Sequence, residues 1–203
     1  MNGIPWKDLP IAAILNRLQS TLAGNACAVL QAPPGAGKTT CIPLFLRKAP
    51  WLGGRKIIML APRRLAARAA ARRMSARIGE KVGHTGGYRV RLDSRVSAAP
   101  RIEGVTEGVL TRRLQNDPAL EGIGRVVFDE FHERSLDADL GLALCLDMQG
   151  VLNPDLRLLI MSATIDAGPI AALLGNAPVL TLSLIHISEP TRPPVASRMP
   201  SSA

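Results

Sequence analysis

The sequence predicts a doubly wound α/β fold, a parallel sheet with helices on both faces. Short, unbroken apolar runs rich in Val, Ile and Leu recur along the chain, each followed by a turn and a stretch of helical spacing. Strands that read as continuous apolar runs, rather than alternating ones, are buried on both faces, as parallel strands under crossover helices are. A glycine-rich turn directly after the first run places a strand–loop–helix unit at the start of the sheet. With 203 residues, 47% of them hydrophobic and 20% charged, the chain has material for one well-buried domain.

Ile11, Ile14, Leu15, Leu18 and Leu22 fall on one helical face, so an amphipathic helix is expected from Pro10 to about Ala23, stopped by Gly24 and Asn25. Strands are expected at Cys27 to Gln31, Lys56 to Leu60, Arg101 to Val105, Arg125 to Phe128 and Leu156 to Met161. Tyr88 to Val96 reads as a smaller antiparallel piece at one edge. The composition changes near Thr181, where four prolines and several serines enter, and residues 182–203 are expected to form no packed face and to be disordered after about residue 183.

No apolar run approaches the roughly 20 residues needed to span a bilayer, which excludes a transmembrane helix. The first ten residues lack the basic-then-apolar pattern of a secretory signal. Cys27, Cys41 and Cys145 are too few and too scattered for a disulfide framework or a zinc site. A reducing, cytoplasmic setting is expected. The 25 Lys+Arg against 16 Asp+Glu give a net charge of +9. That surplus suits a polyanionic partner, although a merely basic surface would give the same count. At 3% aromatic residues, a reader that stacks bases on rings is disfavoured.

Ala32-Pro33-Pro34-Gly35-Ala36-Gly37-Lys38-Thr39 follows the first expected strand and opens a helix. It matches the phosphate-binding loop, with Ala32 where Gly is more usual. The glycines let backbone N–H groups close on an anion, and the helix N-terminus adds its dipole. Pro34, Gly35, Ala36, Gly37, Lys38, Thr39 and Thr40 are the expected nucleotide-binding residues. Lys38 would neutralise the β and γ phosphates, and the Thr39 hydroxyl would ligate Mg²⁺.

The run ending at Phe128 is followed by Asp129-Glu130-Phe131-His132. Two adjacent carboxylates at the end of a buried strand are costly unless a cation is near. Asp129 is expected to hold Mg²⁺, and Glu130 to orient and deprotonate the attacking water. His132 gains weight only from its place beside them. In Ser162-Ala163-Thr164, hydroxyl residues after a strand are commonly turn or cap formers. The strand before them would also bring them beside Asp129. Arg64, Arg68 and Arg72 recur every four residues and make a basic stripe if a helix starts near Arg63. Such a stripe is either a solvated face or a track for phosphates, which positions a strand without reading its sequence.

APPGAGKTT (32–40) and DEFH (129–132) resemble the superfamily 2 helicases, and within them the DEAH-box group. LAPRRLAARA (60–69), TEGVL (106–110) and SAT (162–164) resemble that group's further motifs. HERSLDADL (132–140) is especially similar to its bacterial HrpB-like branch. Phe131 departs from the alanine of the group's name.

The resemblance implies an ATP-dependent RNA helicase with two RecA-like lobes, of which residues 1–181 would be the first. It implies that Lys38, Thr39, Asp129 and Glu130 carry ATP and Mg²⁺ chemistry. His132, Ser162 and Thr164 would couple hydrolysis to lobe movement, and Arg63, Arg64 and Thr106 would contact the nucleic-acid backbone. Arg73 would stack on the adenine, with Arg72 competing for that register. An arginine finger, worth about 10³–10⁵ in rate in related sites, would belong to a second lobe. Slow or absent hydrolysis is therefore expected of these 203 residues alone.

Leu182 to Arg192, LSLIHISEPTR, looks like a translated sequencing-library adaptor. On that reading the tail is non-native, and His186, Glu189 and Arg192 have no function. A nucleic-acid-binding module with a vestigial nucleotide site, a DNA-directed P-loop motor and a kinase are the competing readings. The intact Lys38, Asp129 and Glu130 disfavour the first, and the TEG and SAT elements disfavour a kinase.

Overall fold

The computed structural model describes residues 6–163 and 167–183. The chain runs β1 (Cys27–Gln31), β2 (Lys56–Leu60), β3 (Gly86–Val90), β4 (Asp93–Arg95), β5 (Ile102–Val105), β6 (Ile123–Phe128), β7 (Arg157–Ser162) and β8 (Val179–Thr181). Between the strands lie α1 (Leu15–Gly24, ahead of β1), α2 (Lys38–Leu46), α3 (Arg64–Arg77), α4 (Glu107–Asn116), α5 (Leu136–Val151) and α6 (Ala167–Leu173). These strands form one sheet in the order β4-β3-β5-β2-β6-β7-β1-β8. Every pairing is parallel except β3 with β4, the antiparallel edge expected from residues 88–96.

Strand periodicity of two sorts the core into two faces. Ala28 and Leu30 of β1, with Ile57 and Met59 of β2, pack under α1, α2 and the Ala70–Met74 part of α3. Cys27 and Val29, with Ile58 and Leu60, face the other way, onto α4, α5 and α6. Both faces of the central strands are therefore covered, which is why their sequences read as uninterrupted apolar runs.

The first helix differs from the expected single α-helix. Pro10–Ile14 is a 3₁₀ turn, with α1 following from Leu15. Leu182, assigned on composition to the tail, is buried in the core beside Leu180, and its N–H donates to the Gln31 carbonyl at 2.8 Å. The ordered fold thus takes in at least one residue beyond the expected boundary, because β8 needs a partner for the end of β1. The rest of the tail reading, from residue 184 on, and Thr164 lie outside the described residues.

One core residue breaks the pattern. Arg125 of β6 is fully buried, with no hydrogen-bond partner for Nε, Nη1 or Nη2. Its guanidinium stacks on the ring of Trp51 at 4.4 Å, and Arg157 lies 5.2 Å from the same ring. Burial, and then the charge of Arg157, push its pKa well below the usual arginine range. All three cysteines are free and buried, so none takes part in a disulfide. No helix among the described residues is long and apolar enough to cross a membrane.

Candidate functional site: the strand-end nucleotide cleft and the groove beside it

The order β6-β7-β1 puts three loops side by side at the carboxyl ends of the strands, where open parallel sheets bind their ligands. The glycine-rich loop leaves β1, the acidic pair leaves β6, and Ser162 and Ala163 close β7. Register holds them together: Gln31 sits opposite Ser162, and Phe128 opposite Ile160. The Ala32 N–H donates to the Ser162 carbonyl at 3.0 Å.

Gly37 takes φ of +95° at the N-cap of α2, a conformation that L side chains resist. The loop is also held from behind, where the Ile11 N–H donates to the Ala36 carbonyl at 3.1 Å. Lys38 starts the helix and is 3% exposed. Its Nζ lies 3.1 Å from Glu130 Oε1 and 3.5 Å from the Ala32 carbonyl. Asp129, also buried, accepts a hydrogen bond from Thr39. Burial raises its pKa to about 6, opposed first by the Thr39 hydroxyl and, after the Glu130 charge has added to the rise, by Lys38. The lysine, the threonine and both carboxylates therefore converge as expected.

Glu130 has φ of +51°, a left-handed conformation that costs a non-glycine residue roughly 1–2 kcal/mol. Lys38 on one side and His132 on the other hold it there. His132 Nδ1 lies 3.3 Å from Glu130 Oε2 and 3.4 Å from the Ala163 N–H. A bare Nδ1 accepts a hydrogen bond from the Ala163 N–H, whereas an Nδ1–H donates to the carboxylate. The link between motif SAT and the acidic pair thus runs through the Ala163 backbone and the histidine.

The cleft at the glycine-rich loop has a volume of about 270 Å³ and is lined by Gly35, Gly37, Lys38, Thr39, Thr40 and Glu130, together with Leu9, Arg73 and Arg77. The Thr40 hydroxyl donates to the Gly37 carbonyl at 3.4 Å. Pro34 is exposed, and Ala36 is buried beneath the loop. Arg73, not Arg72, reaches the cleft. Arg77 and Leu9 were missed by the sequence reading. Arg77 was findable, being one helical turn beyond Arg73 on the same face.

A larger groove of about 1140 Å³ lies beside the cleft, lined by Arg63, Arg64, Arg89, Arg91, Thr106 and Arg112, among others. It brings the expected Arg63, Arg64 and Thr106 together. The stripe on α3 does not survive whole. Arg68 pairs with Asp93 at 2.7 Å and lies 5.9 Å from the Tyr88 ring, so it braces the β3–β4 edge. Arg89, Arg91 and Arg112 were missed because nothing local in the sequence brings β3 and α4 to one groove.

A mostly parallel sheet with a phosphate loop after its first strand and an acidic pair at a neighbouring strand end is a RecA-like P-loop fold. The model for the DEAD/DEAH box helicases matches residues 13–172, and the chain belongs to that family. It is 52% identical over 173 residues to the ATP-dependent RNA helicase HrpB of Escherichia coli K12, an alignment covering 85% of this chain and 21% of HrpB. It is 37% identical over 186 residues to the ATP-dependent RNA helicase DHX30 of Gallus gallus, covering 88% of this chain and 15% of that protein. The crystal structure of the Escherichia coli DEAH/RHA helicase HrpB superposes with a TM-score of 0.82 at 51% identity, over 87% of this chain and 22% of that one. The chain thus spans about a fifth of the length of HrpB.

Proposed function

We propose that this chain is the ATP-binding lobe of an ATP-dependent RNA helicase. It would bind Mg·ATP in the strand-end cleft and an RNA backbone in the adjoining basic groove. The observation that carries the reading is the 3.1 Å approach of Lys38 Nζ to Glu130 Oε1, next to the Thr39–Asp129 hydrogen bond. It supports one site holding every group that phosphoryl transfer needs from this side of a nucleotide.

The donor set suits magnesium. A carboxylate and a hydroxyl are hard oxygen ligands, and Mg²⁺ typically takes few of these from protein and the rest from phosphate and water. Thr39 and Asp129 would hold the ion, which supplies charge neutralisation at the phosphates. Lys38 holds the β and γ phosphates, and Glu130 orients and deprotonates water. Arg73, which lines the cleft beside Arg77, would stack on the adenine. His132, with Ser162 and Thr164, relays the state of the site to β7.

The groove carries five arginines, which contact phosphates without reading sequence. Hydrolysis is slow unless an arginine finger, which the resemblance assigns to a second lobe, is supplied. The test is calorimetric titration of Mg·ATP into the chain, repeated with EDTA and with Lys38→Ala. Micromolar binding lost in both controls supports the reading; binding indifferent to Lys38 removes it.

A further inference from the structure

Glu133 belongs to neither site and touches the edge of both. Its Oε2 accepts from Arg63 Nη2 at 3.0 Å. Two residues on, Ser135 Oγ donates to Glu107 Oε1 at 2.6 Å. Arg63 and Glu107 are wall residues of the basic groove. The same two residues line a cavity of about 140 Å³ whose far wall is Asp129 and Glu130. The segment from Phe131 to Ser135 is therefore tied at two points to the groove and begins directly at the acidic pair. The Glu133 N–H donates to the Glu130 carbonyl at 2.9 Å, closing the 3₁₀ turn Phe131–Glu133 behind that residue.

We propose that Glu133 is a positioning residue that occupies Arg63 while the groove is empty and surrenders it to a phosphate when a strand binds. Groove occupancy and the Glu133–Arg63 pair are thereby linked through an exchange of partners at one guanidinium, while the backbone bond that closes the turn behind Glu130 stays in place. The inference rests on the reading that the groove takes RNA phosphates.

The competition favours the incoming strand. The Arg63 side chain is 76% exposed and that of Glu133 39%, and exposed pairs of this kind contribute little. A phosphate contact adds counterion release, which an internal pair does not. Arg134 is engaged elsewhere: it pairs with Asp139 at 2.7 Å and its guanidinium lies over the Phe131 ring.

The experiment is a double-mutant cycle on the 203-residue chain, read by anisotropy of a fluorescein-labelled decauridylate between 50 and 200 mM KCl (about the range in which phosphate contacts are most telling). Both side chains are exposed, so the variants keep the fold. Arg63→Ala weakens binding. Glu133→Gln tightens it about two- to five-fold and leaves the salt slope near that of the wild type, since Arg63 contacts a phosphate in both, whereas Arg63→Ala lowers the slope by about 0.7. In the Arg63→Ala background, Glu133→Gln gains no more than the general charge effect. Asp137→Asn, an exposed charge removed without touching the pair, measures the general charge effect and shows less gain than Glu133→Gln. Tightening by Glu133→Gln that exceeds the general charge effect even without Arg63, or that only equals Asp137→Asn, overturns the exchange while leaving the groove reading intact. Unchanged binding in Arg63→Ala overturns the groove contact at Arg63, and the exchange with it.

Discussion

Lys38 and Glu130 form a 3.1 Å ion pair across the space that a triphosphate would fill. A bound phosphate competes for the lysine, so nucleotide entry would trade one anion for another and leave the Glu130 carboxylate free to face water.

The two partners are then expected to separate by phenotype. Lys38→Ala removes the cation from two adjacent carboxylates and from the phosphates, and Mg·ATP affinity falls by more than about ten-fold. Glu130→Gln keeps a hydrogen-bond acceptor for Lys38 and loses only the base. Affinity stays within about three-fold while any hydrolysis disappears. Calorimetry and a phosphate-release assay on both variants check this. Equal loss of binding in the two would mean that Glu130 is a ligand-site residue and not the base.

Gly37→Ala should damage the loop through its backbone. With φ at +95°, the added Cβ is strained whatever the space around it, and it would also come within 2.8 Å of Leu9 Cδ1. The second contact is with the end of a flexible side chain and can relax. The dihedral cannot, so a loss of about 1–2 kcal/mol is expected in urea unfolding. Leu9→Ala in the same background should restore little. Full recovery would show that the clash, and not φ, sets the cost.

Much of this site is legible in the sequence because its parts are local. A phosphate loop needs glycines and a lysine at fixed offsets, and the acidic pair announces itself at the end of an apolar run. Parallel strands buried on both faces leave the same kind of trace, which is why β1, β2, β5, β6 and β7 fall within about two residues of expectation. What is not legible depends on which elements meet. Helical spacing puts Arg64, Arg68 and Arg72 on one stripe but cannot say that Asp93 and Tyr88 await the middle one. Nor can it choose Arg73 over Arg72 for the cleft. Arg125 reads as the first residue of a strand, and only the packing of Trp51 and Arg157 reveals it as buried.

Glu103 links the groove to the core. Only 3% exposed, it accepts from Arg89 Nε at 2.9 Å and from Arg113 Nη2 at 2.8 Å, both through Oε1. Removing its charge leaves two guanidiniums facing each other over a neutral amide. Glu103→Gln is expected to cost about 2–3 kcal/mol, less than a fully enclosed pair because Arg89 is half exposed. RNA affinity should fall with it, since Arg89 lines the groove and would lose its anchor. Denaturation and anisotropy measured on the same preparation test both parts; destabilisation without weaker RNA binding would place Arg89 outside the phosphate path.

Arg125 gives the opposite sign. Breaking a buried pair destabilises, but this arginine has no anion to lose: its three nitrogens lack partners, and its nearest charge, Arg157, repels it. Arg125→Met keeps an unbranched apolar stem, though a shorter one, removes the desolvation cost and relieves Arg157. Against that stands the cation–π contact with Trp51, worth up to about 2 kcal/mol when desolvated. Arg157 already lies over the same ring and can keep part of that attraction. An unpaired buried charge costs several kcal/mol, so desolvation is expected to win, with a net gain of about 1–3 kcal/mol. In thermal unfolding this raises the midpoint by roughly 2–4 °C per kcal/mol for a chain of this size. A lower midpoint in Arg125→Met would show that stacking on Trp51 outweighs the cost of the buried guanidinium, and that the ring and the two arginines brace neighbouring β6 and β7.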